Sequence, residues 1–231
     1  DKLVTVREPD YKLVFFGIEN PNVDFRAKDI EEKNGFTSFT VEFYGASQRV
    51  TVPTVGIHNA YDALAAFAVG YEMRMEPQKI AAGLKSFVPS GMRQRIKKVG
   101  GITVIEDCYN ASPDSQKAAL DVLSSFKSNR RIAVLGDMLE LGKYSDVAHE
   151  NVGKYTENKN IDILFTYGAK AKHIAEGAKG FVDEIKSFDD KTELAKTLLE
   201  TLKDGDAVLF KASRGMKLED VINSLYREWE E

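Results

Sequence analysis

The sequence predicts an α/β protein in two parts, of which the second is a mostly parallel sheet with helices on both faces. From residue 95 onward, short apolar runs alternate with segments of helical periodicity, and repeated strand–helix units of this kind form parallel sheets. Residues 1–55 are instead β-rich. The run Val88-Pro89-Ser90-Gly91 has the composition of a linker. We therefore divide the 231 residues into parts 1–88 and 89–231.

The first part is expected to begin with strands and to end with helices. The segment Phe36–Tyr44 alternates well, and four apolar side chains are expected on one side with a one-residue irregularity: Phe36, Phe39, Val41 and Phe43. An Ala-rich segment with helical spacing follows the last strand. The predicted strands are Leu3–Val6, Lys12–Ile18, Phe36–Tyr44 and Gln48–Val55, and the predicted helices are Asn59–Met75 and Gln78–Phe87.

The second part opens with a predicted hairpin, in which strands Arg95–Val99 and Ile102–Ile105 are joined by Gly100-Gly101. Strands and helices then alternate to the end of the chain. The further predicted strands are Ile132–Leu135, Ile163–Thr166, Glu184–Phe188 and Ala207–Lys211, and the predicted helices are Pro113–Phe126, Asp146–Glu157, Ala169–Ala178, Lys191–Leu202 and Met216–Trp229.

Composition excludes several classes of function. A net charge of −4 without a long basic run argues against nucleic-acid binding, and no apolar stretch reaches the roughly 20 residues that span a membrane. The single cysteine, Cys108, fits a reducing cytoplasm. The three histidines lack the spacing of metal ligands, so we expect no metal site in this chain. Since the sequence starts at Asp1 within a strand-like pattern, we expect a fragment of a longer protein.

The segment Ile105–Asp114 is the strongest candidate for a ligand site. A buried strand ends there in acidic residues, and Ser112 then has the character of a helix N-cap, followed by Pro113 at the first helical position. Ligands of open α/β sheets bind at the carboxyl ends of strands, and helix N-termini favour anions. The turn therefore predicts a site for a nucleotide or a charged substrate.

Polar clusters also follow two other predicted strands. Asp137 and Glu140 come after Ile132–Leu135, and the run Lys211-Ala212-Ser213-Arg214 closes the strand that begins at Ala207. Each cluster alone is equally consistent with the start of an ordinary loop. Because neighbouring parallel strands end at the same edge of a sheet, the three clusters together indicate a shared site.

Individual candidates have a structural interpretation beside the functional one. Asn59, after His58, is suited either to read an adenine edge or to cap a helix. Arg93 is suited to bind phosphate and is equally well read as a surface residue. His149 is read as a packed or solvated histidine, and Cys108 as a small buried residue. No G-x-x-x-x-G-K-[ST] loop occurs, so a phosphate cradle for ATP must lie outside these residues.

Four motifs in order resemble those of the Mur ligase family over about residues 12–225. They are Gly56-Ile57-His58-Asn59 followed by Ala63-Leu64-Ala65-Ala66; Gly91-Met92-Arg93 with Asp107-Cys108-Tyr109-Asn110-Ala111-Ser112-Pro113; Gly136-Asp137-Met138-Leu139-Glu140-Leu141-Gly142 with His149; and Lys211-Ala212-Ser213-Arg214-Gly215-Met216. The third motif resembles the branch of the family that adds D-alanyl-D-alanine.

The resemblance implies ATP-dependent ligation of D-alanyl-D-alanine to a UDP-N-acetylmuramoyl peptide through an acyl phosphate, for peptidoglycan precursor synthesis. Residues 1–88 then resemble the rear of the central ATPase domain, and residues 89–231 the Rossmann-like carboxy-terminal domain. The phosphate loop and most Mg²⁺ ligands are expected upstream, so this chain alone is expected to be an inactive monomer.

Residue by residue, the resemblance implies two groups of contacts. Residues expected to bind ATP are His58, Asn59 at adenine, Arg93 at the phosphates, Asp107 at the ribose, Tyr109 and Asn110. Residues expected to bind the dipeptide are Asp137, Glu140, His149, Lys211, Ser213 and Arg214. Asp62 stands where the family signature has a second Asn, and Arg95 is also unusual for the family.

Two other functions remain open at this stage. Another Mur-type or folylpolyglutamate-type amide ligase has the same architecture, although the third motif favours the dipeptide-adding branch. A non-catalytic Rossmann-like binding module is the alternative that the missing phosphate loop favours.

Overall fold

A computed structural model describes residues 12–33, 35–89 and 91–230 of the chain. The predicted strand Leu3–Val6 and the linker residue Ser90 lie outside these residues. The chain divides into two compact units, Asp1–Val88 and Pro89–Glu231. None of the described helices is long and apolar enough to cross a lipid bilayer.

The first unit is a four-stranded sheet with two helices. Strand β1 pairs with β2 in parallel, and β2, β3 and β4 pair in antiparallel order. Phe25, Phe39, Phe43 and Phe67 form the centre of a core between the sheet and the first helix. The elements are β1 Phe16–Gly17, β2 Phe25–Lys33, β3 Phe36–Phe43, β4 Ala46–Val52, α1 Ile57–Glu72 and α2 Pro77–Lys85.

Two details of this unit differ from the sequence prediction. The strand predicted over Lys12–Ile18 is reduced to Phe16–Gly17, and β2 was not predicted because its second half is charged and exposed. Phe36 does not share a face with Phe39, since it is exposed and Thr37 is buried in its place. The irregularity in the apolar pattern therefore arises because Phe36 points to the exposed face of β3.

The second unit is a six-stranded sheet in the order β5-β6-β10-β7-β8-β9. All neighbours are parallel except β5 and β6, which form the predicted hairpin. Gly100 and Gly101 both have positive φ, as a tight hairpin turn requires. The elements are β5 Arg95–Val99, β6 Ile102–Glu106, α3 Pro113–Ser125, β7 Arg131–Gly136, α4 Ser145–Lys154, β8 Ile163–Tyr167, α5 Lys172–Gly177, β9 Glu184–Phe188, α6 Lys191–Thr201, β10 Ala207–Lys211 and α7 Glu219–Glu230.

Helices cover both faces of this sheet, which confirms the predicted fold class. One core is built by α6 and α7 against the side chains of one face, including Val134, Phe165 and Val208. Successive residues of a strand point to opposite faces of the sheet. In β7 and β10 the residues that point to the other face are buried as well. Helices α3 and α5 contact the central strands and pack with α4.

Two helices begin later in the chain than the sequence predicted. Helix α5 begins at Lys172 rather than Ala169, and α7 begins at Glu219 rather than Met216. A 3-10 turn over Arg214–Met216 and a left-handed Lys217 precede α7. The apolar pattern continues through these turns, which is why periodicity alone extended the helices.

Helices α4 and α5 approach closely at Gly153 and Gly177. A Cβ atom at Gly153 would lie 2.1 Å from the carbonyl oxygen of Ile174, and one at Gly177 would lie 2.1 Å from that of Glu150. These neighbours are backbone atoms, which cannot rotate away. The two glycines therefore set the distance between the helices.

We expect Gly153→Ala to lower the free energy of unfolding by about 1–3 kcal/mol, since backbone must shift to admit the methyl group. Gly83 in α2 is the matched control, because a Cβ there meets no atom within 4 Å. Gly83→Ala is expected to stabilise its unit by about 0.5–1 kcal/mol. Urea unfolding of both variants measures the difference; equal effects would contradict the packing argument.

Candidate functional site

Three parallel strands end side by side at the candidate site of the second unit. Strand β10 lies between β6 and β7, and Lys211, at the end of β10, pairs with Leu135 of β7, while Phe210 pairs with Glu106 of β6. The predicted convergence of the three polar clusters is therefore confirmed. The turn after β6 leads into α3, where Ser112 is the N-cap of a capping box with Ser115.

Lys211 and Asp107 form the central contact of the site. The Nζ atom of Lys211 lies 3.1 Å from Asp107 Oδ2, and only 3% of the lysine side chain is exposed, against 19% for the aspartate. The same Nζ donates to the carbonyl oxygen of Asn110 at 2.6 Å. Lys211, which was predicted to meet the dipeptide, is thus engaged beneath the turn that carries Asp107.

Gln94 is the second residue that holds the Asp107 side chain, and no sequence pattern predicted this role for Gln94. Its backbone N–H donates to Asp107 Oδ1 at 3.2 Å. Gln94 is buried and has a φ of 47°, a left-handed conformation that non-glycine residues seldom adopt. Asp107 is thus held as a hydrogen-bond acceptor at the strand end, between one backbone N–H group and one lysine.

Tyr109 brings two arginines to the same place. The guanidinium carbon of Arg93 lies 4.0 Å from the centre of the tyrosine ring, and that of Arg214 lies 5.0 Å from it. Both arginines are exposed. Asn110, the next residue, accepts the N–H of Ala111 with its own side chain at 2.9 Å. The turn that follows Asp107 thus carries an aromatic ring with two cations over it.

Asp137 and Ser213 tie the neighbouring loops together. Asp137 Oδ1 accepts the backbone N–H groups of Lys170 at 3.0 Å and Ala171 at 2.6 Å. Ser213 donates its backbone N–H to the Asp137 carbonyl and accepts that of Leu139 with its hydroxyl at 2.9 Å. Both residues are buried and position loops. Glu140 is exposed, with a φ of 66°.

His149 is fully buried, like most of the other predicted dipeptide ligands. Its Nδ1 atom lies 2.7 Å from the carbonyl oxygen of Ser145, and its Nε2 accepts the N–H of Met138 at 2.8 Å. Both ring nitrogens are therefore used within the chain, with the proton on Nδ1. These contacts agree with the interpretation of His149 as a packed histidine.

Cys108 is also buried, as the structural interpretation predicted. Its Sγ lies 3.3 Å from the sulfur of Met92. Burial raises the pKa of the Cys108 thiol to about 12, so the side chain is a protonated thiol rather than a nucleophile.

The remaining two candidates, His58 and Asn59, belong to the first unit. The side-chain amide nitrogen of Asn59 donates to the carbonyl oxygen of Val55 at 2.8 Å and lies 3.1 Å from His58 Nε2. The helix N-cap is Gly56, with a φ of 118°, so Asn59 lies within the first turn of α1. Residues other than glycine rarely adopt such a φ, which explains the glycine there.

No group of three or more His, Cys, Asp or Glu side chains in residues 12–33, 35–89 and 91–230 is arranged to hold a metal ion. The two aspartates of the site are instead engaged with backbone N–H groups or lysine. Asp107 faces Lys211 and Gln94, and Asp137 faces two backbone amides.

Family models match most of the chain. The model of the Mur ligase glutamate ligase domain matches residues 92–214, and that of the Mur ligase middle domain matches residues 2–70. UDP-N-acetylmuramoyl-tripeptide--D-alanyl-D-alanine ligase of Bacillus subtilis (strain 168) is 38% identical over 206 residues, which are 87% of this chain and 45% of that protein. The ligase of the same name from Escherichia coli (strain K12) is 33% identical over 218 residues, 93% of this chain and 47% of that protein.

Solved structures agree with these relatives. A crystal structure of MurF from Acinetobacter baumannii has a TM-score of 0.83 at 27% identity, over 93% of this chain and 47% of that one. The MurF ligase from Thermotoga maritima in complex with ADP has a TM-score of 0.80 at 26% identity, over 94% of this chain and 49% of that one. This chain therefore spans under half the length of the relatives it matches.

We expect Lys211→Met to lower the free energy of unfolding by about 2–3 kcal/mol, because it leaves Asp107 without its buried partner. The expected loss is smaller than for a fully buried pair, since Asp107 keeps 19% of its side chain exposed. Lys172→Met is the matched control, as Lys172 and Asp189 pair in solvent with 49% and 69% exposure. That variant should change stability by under about 1 kcal/mol. Similar losses in urea unfolding would refute the central role of Lys211.

His149 predicts a stability that depends on pH. Burial lowers the pKa of His149 below its ordinary value of 6.5, so below that pH the unfolded chain binds a proton that the folded chain refuses. The free energy of unfolding should therefore fall as pH drops below 6.5, by at most about 1.4 kcal/mol per pH unit. Urea unfolding from about pH 8 to 5 measures this slope. His149→Gln should reduce it, whereas His173→Gln, at a side chain that is 42% exposed, should not; the reverse would contradict the assignment.

Proposed function

Since the chain belongs to the Mur ligase family, we propose that it is the rear part of an ATP-dependent ligase that joins D-alanyl-D-alanine to a UDP-N-acetylmuramoyl tripeptide. The names of the Bacillus subtilis and Escherichia coli relatives support this substrate pair. The third sequence motif, from Gly136 to Gly142, favours the same branch. The reaction belongs to cytoplasmic peptidoglycan precursor synthesis, and we propose a monomer.

The two units correspond to two domains in this proposal. Residues 1–88 form the rear of the central ATPase domain, and residues 89–231 form the carboxy-terminal domain. The middle-domain match over residues 2–70 and the glutamate-ligase match over residues 92–214 support the division. We expect the phosphate loop and the main Mg²⁺ ligands to lie in the upstream part of the full-length protein.

The observation that carries the proposal is the charge arrangement at the ends of β6 and β10. Asp107 is an acceptor with part of its side chain exposed, and Arg93 and Arg214 lie over the ring of Tyr109, two residues further along the chain. This set fits a nucleotide, because a carboxylate accepts ribose hydroxyls and guanidinium groups bind phosphate oxygens. ATP supplies the phosphoryl group that activates the carboxylate substrate.

The remaining residues bind or position. We propose that Asn59 and His58 face the adenine, and that Tyr109 and Asn110 shape the ribose pocket. Among the residues that the family resemblance assigns to the dipeptide, Glu140 and Arg214 are exposed, and we propose that Glu140 meets the dipeptide. Asp137, His149, Lys211 and Ser213 are buried and hold the loops that carry this group.

Ligation by the full-length protein is the direct test. ATP turnover should require both the UDP-muramoyl tripeptide and D-alanyl-D-alanine, and the chain 1–231 alone should not ligate. A panel of amino acids, dipeptides and folyl substrates separates this branch from other Mur-type or folylpolyglutamate-type ligases. Nucleotide binding without turnover of any substrate in the panel would favour the non-catalytic module.

We expect Asp107→Asn in the full-length protein to raise the KM for ATP about tenfold, since a neutral amide forms weaker hydrogen bonds with the ribose than a carboxylate. The amide keeps the shape of the side chain. Asp121→Asn on α3 is the control, because Asp121 bonds only to Tyr155 and Lys159 among the described residues. An unchanged KM for ATP would remove Asp107 from the ribose contact.

A further inference from the structure

Tyr109 is held on several sides by the segment that precedes β5. Its backbone N–H donates to the carbonyl oxygen of Met92 at 3.2 Å. Gly91 has a φ of 63°, and a Cβ there would lie 3.6 Å from the tyrosine ring, so the backbone of the segment runs against the ring. The guanidinium of Arg93 is 4.0 Å from the ring centre. The ring is therefore fixed between this segment and Arg214.

Neither guanidinium group near this ring has an acidic partner in the part of the chain that the structure describes. Each is 4.0–5.0 Å from one ring centre, so the two groups are no more than about 9 Å apart. Arg130 shows the usual arrangement, with bonds to both carboxylate oxygens of Asp206. Two cations held together without a carboxylate favour an anion between them.

The chemistry of the pair points to a phosphate group rather than a carboxylate. Each guanidinium presents a fork of N–H donors that matches two oxygens of an anion. A phosphate offers more oxygens and more negative charge than the single carboxylate of a dipeptide, so it satisfies two forks at once. Tyr109 also follows Asp107 by two residues, so the ring that holds the pair belongs to the same turn as the proposed ribose acceptor.

We propose that Tyr109 is a positioning residue that holds Arg93 and Arg214 as a pair for one phosphate group of the nucleotide. Arg214, which the family resemblance assigns to the dipeptide, then acts on the nucleotide side of the site. This inference rests on the proposed function, because the nucleotide is the source of the phosphate. Tyr109 itself contributes through its ring, whose face attracts cations.

The test uses the full-length protein, with separate KM values for ATP and for D-alanyl-D-alanine. Arg93→Gln and Arg214→Gln should each raise the KM for ATP about tenfold and leave the KM for the dipeptide within twofold, as each removes one charged phosphate contact. Tyr109→Leu should raise the KM for ATP at least threefold, whereas Tyr109→Phe keeps the ring and should restore the wild-type value.

Tyr155 offers a matched control within the same unit. Two cations also lie over its ring, Lys117 at 5.5 Å and Lys159 at 4.4 Å, but Lys159 is paired with Asp121. Tyr155→Leu should therefore alter thermal stability without altering either KM. Thermal unfolding of every variant separates a loss of folding from a loss of binding.

Two kinetic results would overturn the inference. One is a rise in the KM for D-alanyl-D-alanine with an unchanged KM for ATP in Arg214→Gln. The other is kinetics of Tyr109→Leu that match those of Tyr155→Leu. If the wild-type protein does not ligate, the proposed function fails, and calorimetric titration with ADP still decides the inference: weaker ADP binding by Arg214→Gln and Tyr109→Leu supports it, and unchanged binding refutes it.

Discussion

The ion pair between Lys211 and Asp107 is the interaction on which the rest of the site depends. All five residues of β10 are buried, and an ammonium group at the end of such a strand costs several kcal/mol unless it is paired. Lys211 meets this requirement with two acceptors, the Asp107 carboxylate and the Asn110 carbonyl. These two acceptors lie on either side of Tyr109 in the sequence. One buried cation thereby fixes both ends of the turn that carries the ring.

Polar groups of the site divide into those that hold the loops and those that are left for a ligand. Asp137, Ser213 and His149 bond to backbone groups of other loops and are buried. Buried polar groups are stable only when they are satisfied in this way. Arg93 and Arg214 are exposed and contact an aromatic ring, which leaves their N–H groups open to an anion. The buried residues therefore hold the loops, and the exposed arginines are left for a ligand.

The sequence predicted those parts of the fold that depend on local patterns. Apolar runs indicated the strands around Val104, Val134 and Val208, and Ser112 marked the start of α3. The common edge of the strand ends followed from the rule for parallel strands. Strand β2 was not predicted, because its pairing with β3, and not its own composition, makes it a strand.

Other features depend on contacts between distant residues, and local patterns carry no trace of them. A glutamine gives no signal for a left-handed backbone, yet Gln94 adopts one and donates to Asp107, 13 residues away. Lys211 lies at the end of its strand as expected, but its burial follows from the order of the strands. The partner of His149 is likewise a backbone N–H at the end of another segment. Side-chain roles of this kind require the tertiary structure.

The acceptor capacity of Asp107 connects these contacts to the nucleotide that we propose as the ligand. A carboxylate has about four positions that accept hydrogen bonds. One oxygen receives the Gln94 N–H and the other faces Lys211, so about two positions remain, on a side chain that is still partly exposed. A ribose has two neighbouring hydroxyl groups, each with one hydrogen to donate. The contacts that fix the carboxylate thus leave it with the number of acceptors that a ribose requires, and the fixed orientation means that binding does not have to order the side chain.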